Sequence, residues 1–217
     1  MSSAETLRET LARHTRAGDP ALQEDLGGGR LRCLACGHRC RLAPGRPGVC
    51  QVRFHDGETL RVPWGYVAGL AVDPLEKKPF FHVLPGESAL SFGMLGCDLH
   101  CAYCQNWITS QALRDDAAEA PLHEISPEEI VHLAHRHGSR VLVSTYNEPL
   151  ITADWAAAVF ARAKAEGLAC AFVSNGNATP EVLDYLRPVV DFFKVDLKGF
   201  DDVRYRRLGG TLDAVLT

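Results

Sequence analysis

Residues 88–107 read SALSFGMLGCDLHCAYCQNW. The run SALSFGML is short and mostly apolar, which reads as a strand, and Gly96 ends it. Directly beyond stand three thiols, Cys97, Cys101 and Cys104, with one aromatic, Tyr103, just before the last. A strand that delivers a dense group of reactive side chains at its C-terminal end is the arrangement of a parallel α/β site. The segments on either side decide whether that arrangement repeats.

Downstream it does. Ser126-Pro127-Glu128-Glu129 combines a capping residue, a first-turn proline and a Glu three residues after the cap. It predicts a helix to about His137, stopped by Gly138. RVLVST (140–145) reads as a strand, 152–166 as a helix ended by Gly167, and LACAFVS (168–174) as a strand. Thr179-Pro180 starts another helix that Pro188 ends, and DFFKVDLK (191–198) is the next strand. Strands alternating with helices of this length imply right-handed parallel βα units. The expected fold class is α/β: a partial parallel (βα) barrel with strands near 89–95, 140–145, 168–174 and 191–198. TLDAVLT follows without a fifth strand, so the barrel is expected to stop after about four units, its C-terminal strands missing. Residues 1–88 form a separate expected region, an N-terminal helix followed by an irregular, Cys-rich, metal-binding stretch, and 89–217 form the barrel part.

Polar residues gather at the same end of every strand. Ser144, Thr145, Tyr146, Asn147 and Glu148 close the second, and Ser174, Asn175 and Gly176 the third. Pro149 restrains Glu148 toward an extended conformation. In the fourth, Phe193, Val195 and Leu197 point one way, and Lys194, Asp196 and Lys198 the other, into the expected lumen. Charges there mark a site, because unpaired burial is costly.

A formal net charge of −4 argues against a general nucleic-acid binder. No apolar run approaches the ~18 residues of a membrane span. The N-terminus, MSSAETLRETLARHTRAG, has Ser2–Glu5 at capping-box spacing and Leu7 and Leu11 one turn apart, a short helix rather than an export signal. The expected location is the reducing cytoplasm, where clustered cysteines hold metal or do redox chemistry. Cys170, inside LACAFVS, reads as a small core residue.

Structural zinc normally takes four protein ligands. Three thiolates on one loop suit a [4Fe–4S] cluster with one iron left open; His100, inside the loop, is the alternative fourth zinc ligand. Cys33, Cys36, Cys40 and Cys50 supply four thiols, enough to close a tetrahedral site for zinc or a second [4Fe–4S] cluster, with His38 able to replace one. Lys77, Lys78 and His82 lie on a connector and read either as solvated surface or as the lining of an entrance. His132, His135 and His137 read as surface histidines of an outer helix.

The spacing C-x3-C-x-aromatic-C resembles the signature of radical S-adenosylmethionine (SAM) enzymes. The blocks CLACGHRC…GRPGVC, DPLEKKPFFHVLPG, SFGMLGCDLHCAYCQNW, TYNEP, SNGN and KVDLKGF, over roughly residues 31–208, resemble the radical SAM protein of the AmmeMemoRadiSam system. That protein is kin to pyruvate formate-lyase activating enzymes. The resemblance implies a partial barrel of the radical SAM type in which Cys97, Cys101 and Cys104 ligate a [4Fe–4S] cluster and S-adenosyl-L-methionine binds the remaining iron. Reductive cleavage would give a 5′-deoxyadenosyl radical for hydrogen abstraction. It further implies that Tyr103 lies beside the adenine, Glu148 near the SAM amino group, and Asn175, Asp196 and Lys198 against SAM. It names no catalytic residue acting on the substrate. Implied partners are a reductant such as flavodoxin or ferredoxin and Memo-like and AMMECR-type proteins, with no nucleic acid and no membrane. Asp98 departs from the expected asparagine and His100 from a basic residue such as arginine. Two alternatives stand: a glycyl-radical activating enzyme, disfavoured because only about 20 residues separate Cys104 from the first helix, and an iron–sulfur electron-transfer or assembly module without SAM chemistry. Asp196 and Lys198 argue against the latter, since an electron carrier does not need them.

Overall fold

The computed structural model describes residues 6–216. Its centre is a five-stranded sheet built from β1 (Gly69–Pro74), β2 (Ser88–Gly93), β3 (Val141–Ser144), β4 (Ala169–Ser174) and β5 (Phe192–Val195). The order is β5-β4-β3-β2-β1, with β2 to β5 all parallel and β1 antiparallel to β2. Consecutive βα units therefore lie side by side, as in a barrel, but the sheet does not close.

Local chemistry sets the helices. Helix α1 (Pro127–Arg136) begins with a complete capping box: Ser126 Oγ accepts from the Glu129 amide, and the Glu129 carboxylate accepts from the Ser126 amide at 2.7 Å. Helix α2 (Ala153–Ala165) follows β3, and α3 (Pro180–Leu186) starts where Thr179 Oγ1 accepts from the Val182 amide. Helix α4 (Asp202–Arg207) is capped by Asp201. Period-two alternation then divides the sheet into two faces. Leu90, Phe92, Leu142, Cys170 and Phe172 pack against Ile130, Val131, Val159 and Phe160 of the helices. Phe172 meets Phe160 edge-on at 5.6 Å and stacks on Phe193 at 5.8 Å. On the inner face, Ala89, Val141, Val143 and Ala171 are covered by Leu75 and Phe80. Cys170 is a buried core residue, as expected.

Three expectations change. Strand β1 was not foreseen: it lies on the N-terminal side of the boundary placed at 88/89, so the first 88 residues lend the sheet an edge strand. Its GLAVDP sequence hides the strand, because both Leu70 and Val72 stand 40% exposed and Gly and Pro close its ends. The N-terminal region also carries more order than expected, in two small antiparallel sheets. One joins Thr15–Ala17, Leu60–Pro63 and Phe54–His55, and the other joins Gln23–Asp25, Leu31–Cys33 and Arg41–Leu42. Finally, the N-terminal helix runs Leu7–Arg13 and is boxed by Thr6 and Glu9; the expected Ser2–Glu5 box lies outside the described residues.

On β5 the alternation holds, yet Val195 and Leu197 stand exposed on the face expected to meet helices. This strand is an edge of the sheet, and nothing among the described residues covers that part of it.

Candidate active site

The loop after β2 carries the three thiols, and the loops after β3, β4 and β5 close around it. Gly93 is what lets them approach: a Cβ there would lie 2.3 Å from the Thr145 carbonyl oxygen. The Asn147 carboxamide then accepts from the Met94 amide at 3.1 Å, tying the second strand end to the first. The result is a cleft of about 330 Å³ at the C-terminal ends of the parallel strands. Cys97, Cys101, Tyr103, Cys104, Glu148, Asn175, Asp196 and Lys198 all line it. Tyr103 is 62% exposed at its rim, and its hydroxyl donates to the Lys198 carbonyl at 3.4 Å.

Two buried carboxylates organise the floor. Glu148 accepts from Ser174 Oγ at 2.6 Å and the Leu150 amide at 3.1 Å on one oxygen, and from the Asn175 amide at 2.8 Å on the other. Burial, and then the neighbouring Asp98 charge, push its carboxyl well above the ordinary range; the hydrogen bonds oppose this. Asp98 is fully buried and accepts from the side-chain amides of Asn175 and Asn177, each at 2.7 Å. The Asn175 carboxamide oxygen also accepts from the Asn177 amide at 2.8 Å. One N–H and one lone pair of that carboxamide remain beside these bonds.

The charges on and beyond β5 compensate one another. Asp196 pairs with both Lys194 and Lys198, the latter at 3.2 Å, so the expected lumen charges are not unpaired. Burial and Lys198 together pull the Lys194 ammonium down.

The thiols differ among themselves. Burial, followed by the Asp98 and Glu148 charges, pushes Cys97 up well beyond an ordinary thiol. Cys101 is raised mainly by burial, an effect that Lys198 moderates. The Leu99 amide points at Cys97 Sγ at 3.4 Å, and Ser110 Oγ lies 3.2 Å from Cys104 Sγ. Such contacts stabilise bound thiolates. Among the described residues no three His, Cys, Asp or Glu side chains are drawn around one point. Three thiols on one loop, facing one cleft and supplied with N–H and O–H contacts, fit a cluster's donor set.

The four N-terminal cysteines are not part of this cleft. Cys33, Cys36 and Cys50 are buried and Cys40 is half-buried; all eight cysteines are free thiols. The Val49 amide points at Cys40 Sγ at 3.5 Å and Arg53 Nη1 at Cys33 Sγ at 3.7 Å. That donor set fits a thiolate-bound metal. His38 turns away from the role of replacement ligand, its Nε2 lying 3.0 Å from the Asp98 carbonyl oxygen. His100 is exposed and its ring lies against Gly209, away from the role of a fourth ligand. Lys78 is buried, bound to Asp73 at 3.0 Å and to the Tyr146 hydroxyl at 3.2 Å, which removes it from both the solvated and the entrance readings. Lys77 and His82 are exposed.

Sequence reasoning missed Asp98 as an organiser, together with Asn177 and the buried Arg53–Asp154 pair. The two asparagines of SNGN were the available signal for the first network; nothing local signals the pair, whose members lie 101 residues apart.

A sequence profile of the radical SAM superfamily matches residues 93–217, more than half the chain and all of this cleft's strand ends. This chain belongs to the radical SAM superfamily. The radical SAM protein is also 34% identical over 194 residues to an uncharacterised protein of Methanocaldococcus jannaschii. That alignment covers 89% of this chain and 57% of the relative, so the chain spans little more than half the relative's length. Among solved structures it is similar to QueE from Escherichia coli, with a TM-score of 0.40 and 15% identity, over 70% of this chain and 65% of that one. Membership implies a [4Fe–4S] cluster and S-adenosylmethionine. No helix among the described residues is long and apolar enough to cross a membrane.

Proposed function

We propose that this protein cleaves S-adenosylmethionine reductively and uses the product radical to take hydrogen from a substrate, as an oxidoreductase-type, iron–sulfur-dependent enzyme. The observation that carries this is the convergence of Cys97, Cys101 and Cys104 with polar residues of three further strand ends on one cleft. A [4Fe–4S] cluster on the three thiols would supply the electron for sulfonium cleavage. The chain's own residues bind and orient. One Glu148 oxygen carries a single hydrogen bond, from the Asn175 amide, and keeps acceptor capacity for an ammonium group. Lys198 and Asp196 form the opposite wall, and the Tyr103 ring at the rim provides a flat face for a purine. Asn175 holds Asp98 with its side-chain amide and keeps a second N–H and a lone pair for SAM.

Within the superfamily, the ordered blocks from CLACGHRC to KVDLKGF support an AmmeMemoRadiSam assignment, related to the pyruvate formate-lyase activating enzymes. The partners that go with it are a flavodoxin or ferredoxin reductant and Memo-like and AMMECR-type proteins, in the cytoplasm. The Cys33, Cys36, Cys40 and Cys50 set is assigned zinc or a second [4Fe–4S] cluster.

Anaerobic reconstitution with iron and sulfide, followed by reduction in the presence of SAM, tests the proposal. The expected result is 5′-deoxyadenosine and methionine in equal amounts, by chromatography. An assembled cluster that reduces normally but yields no nucleoside would instead identify an electron-transfer module.

A further inference from the structure

The two cysteine segments touch, and the contacts are concentrated on the backbone beside the first cluster ligand. Gly96 (φ +94°) precedes Cys97, and a Cβ there would lie 2.7 Å from Val52 Cγ1 and 2.9 Å from the Cys50 carbonyl oxygen. The exposed Arg114 donates through one nitrogen to two carbonyls, Val49 at 3.2 Å and Cys97 at 3.1 Å, bridging the segments. The His38 ring binds the next carbonyl, that of Asp98, at 3.0 Å. A second connection closes behind it: the Gly37 amide donates to the Asn177 carbonyl at 2.9 Å, and the Asn177 side chain donates to the Asp98 carboxylate at 2.7 Å. Both carbonyls at the start of the 97–104 loop, and the one buried carboxylate in it, are thus held directly or through one residue by the Cys33–Cys50 segment.

That segment is built from short strands and Gly- and Pro-rich turns, so its own shape depends on a cross-link. We propose that a metal bound by Cys33, Cys36, Cys40 and Cys50 orders the Cys97–Cys104 loop, with His38, Asp98 and Arg114 as the positioning residues that transmit the order. The proposal rests on the metal-site reading given above for those four thiols. Because coupling between two sites is reciprocal, occupancy of either loop favours the other. The N-terminal metal is then a structural switch for the catalytic loop rather than a distant staple.

Zinc and amide hydrogen exchange test this without any enzymatic readout. In a variant of this chain with Cys97, Cys101 and Cys104 all changed to Ser, the N-terminal set is the one thiol cluster left for added zinc, since Cys170 stands alone in the core. The expected result is one zinc per chain, with exchange slowed about tenfold in peptides covering 33–50 and also in those covering 96–104, by suppression of local opening. Adding Arg114→Ala and His38→Ala should keep the first slowing and remove the second; Arg114→Ala alone, at an exposed position, should weaken it. Slowing confined to 33–50 in the parent variant would overturn the coupling while leaving the metal site standing. No zinc uptake, with exchange unchanged in 33–50, would overturn both.

Discussion

The protein places two groups of thiols side by side and treats them oppositely. Cys33, Cys36 and Cys50 are buried, four thiols are available, and charges of both signs stand near them: Arg53, 1% exposed and paired with Asp154, donates to Cys33, while the Asp98 carboxylate acts on Cys36. Cys97, Cys101 and Cys104 border an open cleft, only three are available, and charges of both signs stand near them too: Asp98 and Glu148 act on Cys97, and Lys198 on Cys101. Closed, fully supplied metal sites are structural, whereas sites with a vacant position do chemistry. The contrast teaches that cysteine spacing alone is ambiguous, and that burial and the number of thiols on hand separate the two groups.

The largest effects come from removing one ligand on each side. Cys101→Ser should abolish SAM cleavage and the loop's [4Fe–4S] absorbance while changing unfolding free energy by less than about 1 kcal/mol, because the site is half exposed. Cys36→Ser should do the reverse to stability, costing several kcal/mol, on the order of a third of the ~10–16 kcal/mol available from a structural metal. Urea unfolding and metal analysis on both variants check this. Equal stability losses would erase the distinction.

Next comes the cation. Arg53→Met leaves Asp154 buried without its partner and should cost about 3–5 kcal/mol in urea unfolding. Arg53→Met/Asp154→Leu removes both charges and should recover much of that loss. If the double variant regains stability but still binds zinc more weakly, the remaining deficit belongs to the Arg53–Cys33 contact.

On the open side, Asp98→Asn restores the residue expected from family resemblance. It replaces one acceptor oxygen with an amide group that faces the donors of Asn175 and Asn177. One buried donor is left unsatisfied, at about 1–3 kcal/mol, with the lower figure if a carboxamide flips. Metal content at the N-terminal thiols should fall only slightly, through the reciprocal coupling. A fall there comparable to that of Cys36→Ser would place Asp98 among the supports of the closed site instead.

What was legible in the sequence follows the range of the interactions. Helices α1 and α3 were readable because their caps and first-turn prolines act within four residues. The polar strand ends were readable because side-chain alternation is local. Asp98 was read as a harmless loop departure because its partners lie 77 and 79 residues away. His38 was read as a spare ligand because its actual contact is 60 residues away. Strand β1 escaped because its outward-facing Leu70 and Val72 erase the hydrophobic contrast that marks an edge strand. The resemblance located the cleft residues as a set, and the hydrogen bonds of Asn175 to Asp98 and Asn177, two residues of the same buried network, were not legible beside its expected cofactor contact.

The smallest effect concerns how the closed segment is fastened to the barrel. Arg39, next to Cys40, grips Glu181 of α3 with two hydrogen bonds of 2.9 and 2.6 Å. The Arg39 hydrogen bonds are the main reason the Glu181 carboxyl is held below its usual value of 4.5. A depressed carboxylate contributes stability that is present above its unfolded-state pKa and lost as pH falls through the lower folded value. The pair therefore favours docking at neutral pH and releases on acidification below about 4.5. Both side chains are more than a third exposed, so screening limits the contribution to at most about 1 kcal/mol. Thermal melts between pH 6 and pH 3, run on the wild type and on Glu181→Gln, isolate it. The variant should be slightly less stable at pH 6 and should converge with the wild type at pH 3. A constant gap across that range would mean that shape rather than charge fastens the segment, and that salt should leave it unaffected as well.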